Sequence, residues 1–179
     1  MRASRFARTM LLVALSPLAL LAQKSHVTQL TEDWTRYRDN VIAYVDAMPD
    51  SAMTFRPAVG ERTFAQQIDH LATTNMVVAA ATLKRLEDPP FLPDTALIFH
   101  DRKALHSWVK RCFDYVLASI QQSKPADWTR ELAIFGQPNP QSVSRWMMLA
   151  AEHSAFTLGQ TAPYLRLSGV KPPGYQLPF

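Results

Sequence analysis

RPAVGERTFAQQIDHLA, residues 56–72, turns a loop into a helix. Pro57 and Gly60 punctuate its first half, and Thr63 stands at the junction with a hydroxyl able to cap the first free backbone N–H groups of a helix. From there Phe64, Ile68, Leu71, Val78 and Leu86 recur at helical spacing until Asp88, Pro89 and Pro90 stop the pattern. The spacing predicts a helix over 64–86.

The same period recurs on both sides of this stretch. Upstream, Leu30, Trp34, Tyr37, Val41, Tyr44 and Met48 alternate steps of four and three, the inward stripe of a bundle helix over about 29–48, which Pro49 and Asp50 end. Downstream, Leu105, Trp108, Val109, Cys112, Phe113, Val116 and Ile120 make the apolar face of a third helix over about 102–122, ended by Lys124 and Pro125. A fourth begins near Ser142, with Trp146, Leu149, Ala150, His153, Phe156, Thr157, Gln160 and Tyr164 on one face. Pro163 is expected to kink it or to begin a new turn. Between helices three and four, residues 128–140 carry Gly136, Pro138 and Pro140 around the apolar run Leu132–Phe135, an irregular connection with room for a small hairpin. The tail KPPGYQLPF is too rich in proline for a helix and is expected to lie as an extended strap. Four amphipathic helices give an all-α four-helix bundle in a single domain.

The N-terminus carries a different pattern. Residues 1–22 hold Arg2, Arg5 and Arg8, no acidic residue, and an apolar run from Met10 to Ala22 broken only by Ser16 and Pro17. That is a basic segment followed by a hydrophobic one too short to span a bilayer, the form of a signal peptide. It predicts cleavage near Ala22, a mature domain over 23–179, export to the periplasm or beyond, and no stable membrane anchor. The whole chain has 19 Lys and Arg against 15 Asp and Glu; without the three arginines the balance is 16 against 15. A nearly neutral domain offers no basic surface for nucleic acid. Cys112 is the only cysteine, so no internal disulfide forms, and its place in an apolar stripe makes it a small buried hydrophobe.

EHSAFTLGQTAPYLRLSGVKPP, residues 152–173, completes the argument when set beside residues 56–72. The aromatic first helix, the Phe55-Arg56-Pro57 to Thr63 approach to helix two, a histidine seven residues after that threonine, and the Gly159-Gln160, Tyr164-Leu165-Arg166, Gly169 and Pro172-Pro173 ending resemble the DinB/YfiT-like superfamily over nearly the whole mature chain. The resemblance implies a four-helix bundle and a divalent metal, zinc or nickel, held by one histidine on helix two and two on helix four, four residues apart. Residues at that spacing share a helical face, and three protein ligands leave a position open. It also implies thiol-dependent transferase or hydrolase chemistry, with a small-molecule ligand or thiol as partner.

Carried over residue by residue, the metal positions are His70, His153 and Thr157. Thr157 departs from the family pattern, since a neutral alcohol is a poor ligand beside imidazole, and Leu158 replaces the arginine that usually follows. Two readings therefore stand together. One is a metal-dependent enzyme with a degenerate histidine site; the other is a bundle without metal that binds a small ligand or a partner. A lone histidine on an apolar face is more often a hydrogen-bonded core residue than a ligand, so the pair matters more than either member. The reading leaves catalytic residues unassigned, is compatible with a homodimer, and names no substrate.

Overall fold

Helix signals in this chain are local, and each one is met by a local contact. A computed structural model describes residues 17–177, with side chains from residue 26 onward. Helix α1 spans Pro17–Ala47, followed by a 3-10 turn at Asp50–Ala52; α2 spans Phe64–Ala79 and continues as a π turn over Ala80–Lys84. The short α3 (Thr95–Ile98) precedes α4 (Arg102–Gln121), and α5 (Pro125–Thr129) precedes the strands β1 (Glu131–Leu132) and β2 (Gln141–Ser142); α6 (Val143–Leu167) is last. The strands pair antiparallel, Glu131 with Ser142 and Leu132 with Gln141.

Thr63 caps α2 as its position suggests. Its hydroxyl accepts from Gln66 N–H at 3.2 Å, and Gln66 Oε1 accepts from Thr63 N–H at 2.9 Å, a reciprocal box that satisfies two otherwise free donors. Asp101 and Ser142 cap α4 and α6 through a single bond each, accepting from Ala104 N–H and Arg145 N–H. At the far end of α2, Arg85 takes a left-handed conformation (φ 57°) after the π turn, so the helix stops at Lys84, two residues before Leu86, which is exposed.

Packing closes a ring in the order α1, α4, α2, α6 and back to α1. Helices α1 and α2 thus lie across a diagonal although they are consecutive. The core is continuous: Trp34 meets Phe113 at 6.2 Å between ring centroids, and Phe64, Ile68, Leu71 and Met76 of α2 are fully buried beside Leu105, Val109 and Cys112 of α4. Cys112 is among these buried residues, and burial pushes its thiol well up from the ordinary range. No helix among the described residues is long and apolar enough to cross a membrane.

Three expectations need correction. Helix α1 begins at Pro17 rather than near Gln29; Pro is well placed at a first helical position, and nothing between Leu18 and Thr28 breaks a helix. The expected signal segment lies outside the described residues as far as Ser16, and its last six residues open α1. Helix α6 continues through Pro163 to Leu167, so Pro163 does not begin a new turn. The carbonyl that Pro163 leaves without a donor belongs to Gly159, and both residues are exposed, so water can satisfy it. The buried face of α6 keeps Ala150, Thr157 and Tyr164 of the expected stripe but adds Val143, Met147, Ser154, Leu158, Thr161 and Leu165, whereas Phe156 is 65% exposed. The tail is extended as expected. Asn40 of α1 pairs with Gln176 as a backbone would, accepting from its N–H at 2.8 Å and donating to its carbonyl at 3.4 Å.

Candidate functional site

The α2–α6 seam brings the three expected site residues together. His70 and His153 face each other with Nε2 atoms 3.2 Å apart and rings nearly perpendicular, at 83°. Thr157, one turn beyond His153 and buried, places Oγ1 at 3.3 Å from the same His153 Nε2. The helical spacing of 153 and 157 puts both side chains on one face, and the ring order of the bundle sets α2 against that face.

Both imidazoles are held below their ordinary pKa. Desolvation is the largest cause for each, since burial penalises the charged ring, and the Arg62 guanidinium adds to it. His153 also opposes protonation of His70, while the carboxylate of Asp69 favours it least among the causes. The pair is therefore neutral at neutral pH, with Nε2 of one ring donating to the other or both free to accept a Lewis acid. His153 Nδ1 is buried without a hydrogen-bond partner among the described residues.

A polar frame surrounds the pair. Arg62 Nη1 donates to Gln67 Oε1 at 3.3 Å, Gln67 Nε2 donates to Gln160 Oε1 at 2.6 Å, and Tyr164 O–H donates to the Arg62 carbonyl at 2.9 Å. Gln160 thus ties α6 to the first turn of α2. Asp69, beside His70, accepts from Trp108 Nε1 at 2.7 Å and from Thr73 O–H at 2.9 Å, so α4 also helps to fix this face of α2. Sequence reasoning missed Arg62, Gln67 and Asp69. Arg62 and Gln67 flank the cap residue in the decisive stretch, and Asp69 adjoins the histidine, but nothing in the spacing separates them from solvated charges. Glu152 is exposed, as its position a helical step away from His153 requires.

Beside His70 opens a cavity of about 700 Å³ whose lining includes Arg62, Asp69, Thr73, Val77, Phe99 and Phe135. This volume suits a small molecule. His70 belongs to both the cavity and the imidazole pair, so a ligand there would meet the pair through His70.

Whether a metal suits the pair is a question of geometry and donors. Two nitrogens bound at about 2.05 Å to one tetrahedral ion sit about 3.3 Å apart, close to the observed 3.2 Å. The hydroxyl of Thr157 is the third available donor. No group of three or more His, Cys, Asp or Glu residues able to hold a metal occurs among the described residues. The 3.2 Å separation matches both a direct N–H···N hydrogen bond and two imidazoles on one ion.

Comparison with known proteins agrees with this architecture. A family model described as the DinB superfamily matches residues 33–161. A DinB-like protein of Bacillus subtilis superposes with a TM-score of 0.70 at 18% identity, covering 84% of this chain and 99% of its own. A DinB-like protein of Bacillus cereus gives 0.66 at 19% identity, covering 80% and 93%. No curated protein matches the chain. On the family match over most of its length, with the bundle and its helix order alongside, the chain belongs to the DinB superfamily.

Proposed function

We propose that this chain is an exported DinB-superfamily protein that binds a small molecule in the cavity beside α2. In this reading a divalent transition metal, zinc or nickel, is held by His70, which lines the cavity, and His153 beside it. The observation that carries it is the 3.2 Å separation of the two Nε2 atoms, the edge of a tetrahedral ion, on rings kept neutral by burial and by Arg62. When bound, such an ion supplies Lewis acidity toward a thiol or water, the chemistry of a thiol-dependent transferase or hydrolase. The chain's own part is to keep both imidazoles unprotonated, to present His70 to the cavity, and to fix α2 against α6 through Gln67 and Gln160. Export rests on Arg2, Arg5 and Arg8 followed by the apolar run to Ala22, and N-terminal sequencing of protein from its native host checks it: the first residue should be Gln23.

The test of the site is elemental analysis joined to zinc competition against a chelator of known affinity. Stoichiometric zinc or nickel that is lost in His70→Ala supports the reading. A second reading, a binding module without metal, is favoured by the hydroxyl of Thr157 at the third position and by the missing acceptor for His153 Nδ1, because metal-bound imidazoles usually donate their other N–H to a partner. No retained metal after supplementation, with ligand still bound in the cavity, selects that second reading.

A further inference from the structure

Phe135 stands where a bulky residue is rarely found. Its φ is 56°, and Gly136 follows at 68°; Gln137 N–H donates to the Ile134 carbonyl at 3.1 Å and closes a tight turn between β1 and β2. Glycine, asparagine or aspartate is the usual first residue of such a turn, and an aromatic side chain in the left-handed region needs a reason beyond the turn itself. The ring is 56% exposed and meets Trp146 edge-on at 6.3 Å. It lines the 700 Å³ cavity beside His70 and also a second cavity of about 530 Å³ beside Arg85 and Arg130; Val77 is the other residue common to both. Phe135 and Val77 thus form an apolar ridge between two spaces.

The polar end of the first cavity holds one guanidinium, Arg62, and one carboxylate, Asp69. Arg62 lines it and forms no ion pair among the described residues; its guanidinium donates only to the neutral amide of Gln67. The cavity's carboxylate, Asp69, is fixed in place by Trp108 and Thr73, both donating to its Oδ1. The charge of Arg62 acts on both imidazoles, more strongly on His70 than that of Asp69.

We propose that the cavity takes a small amphipathic carboxylate, its apolar body against Phe135 and Val77 and its carboxylate against Arg62 and His70. The strained aromatic is retained for ligand contact rather than for the fold. A carboxylate so placed gives Arg62 the partner it lacks and accepts from the His70 ring, and the apolar body covers an exposed ring. The occupant is defined by both ends: the same body with a neutral or cationic head loses the contact with Arg62.

The experiment uses 4-phenylbutyrate, 4-phenylbutan-1-ol and 4-phenylbutylamine as probes, titrated calorimetrically into the purified protein at neutral pH with a chelator present. The acid should bind saturably, the alcohol at least ~10-fold more weakly, and the amine more weakly still. Arg62→Gln should remove the preference for acid over alcohol. Phe135→Asn should weaken acid and alcohol alike while the melting temperature holds or rises, because Asn tolerates a positive φ. Affinity at 25 °C, where every variant is folded, decides. Absence of saturable acid binding, equal binding of acid and alcohol, or unchanged affinity in Phe135→Asn overturns the proposal; the last would make Phe135 a packing partner of Trp146. Because the chelator removes metal, failure here leaves the zinc titration of the imidazole pair standing, and failure of that titration leaves this result standing.

Discussion

The two sides of this bundle are built on opposite principles. Where α1 meets α4, Trp34, Val41, Val45, Phe113, Val116 and Ile120 interlock as an apolar seam, with the Arg38–Asp114 and His106–Asp46 links among more exposed side chains. Where α2 meets α6, buried Gln67, Asn75, Ser154, Thr157 and Thr161 share the seam with His70 and His153. Buried polar groups cost stability unless paired, and here Asn75 Nδ2 and His153 Nδ1 are left without partners among the described residues. The dry side holds the fold together, so the wet side is free to carry groups that stability alone would not select.

The largest effect should fall on the dry side. Trp34→Ala removes a fully buried ring and should cost about 3–5 kcal/mol in urea unfolding, with zinc affinity at 25 °C unchanged wherever the variant remains folded. A cost below about 1 kcal/mol would mean that this seam is not the anchor. On the wet side the effect should be smaller. His153→Leu removes a buried nitrogen without a partner but also takes the partner from Thr157 Oγ1 and His70 Nε2, so it should cost no more than about 1–2 kcal/mol, while abolishing any metal retention. Loss of stability comparable to Trp34→Ala would show the imidazole pair to be structural.

Thr63→Ala lies between the two. Losing one half of the capping box should cost about 1 kcal/mol, measurable as a shift in the urea midpoint without a change in slope. The smallest effect is on pH dependence. Because both histidines have lowered pKa in the folded protein, the unfolded chain takes up protons first as pH falls. Stability is therefore fully present above the ordinary histidine value of about 6.5 and declines as pH falls below it toward the lowered values. His153→Leu should flatten that decline between pH 7 and 5; an identical decline in both proteins would place its source in the carboxylates.

What the sequence made legible follows the same division. The dry side announces itself, because Trp34, Val41 and Met48 or Val109, Phe113 and Val116 repeat with the period of the helix, and Thr63 marks a boundary by side-chain chemistry that works over three residues. The helix-six face was misjudged because Phe156 is apolar yet exposed, and the buried hydroxyls of Ser154 and Thr161 carry no hydrophobic signal. His70, His153 and Thr157 were found through resemblance to a family pattern. Arg62, Gln67 and Asp69 were not, since Gln67 and Asp69 reach Gln160 and Trp108 on other helices, and no local spacing records such contacts. Phe135 was unreadable for another reason: nothing in Ile134-Phe135-Gly136 declares that the aromatic, rather than only the glycine, takes a positive φ.

The central claim is that His70, His153 and Thr157 converge on one metal-sized point. Zinc competition on wild type, Thr157→His and Thr157→His combined with His70→Ala tests it most directly. The third imidazole should tighten binding by at least ~10-fold over wild type, and removing His70 from that variant should abolish the gain. A Thr157→His variant that binds zinc no better than wild type would contradict the convergence.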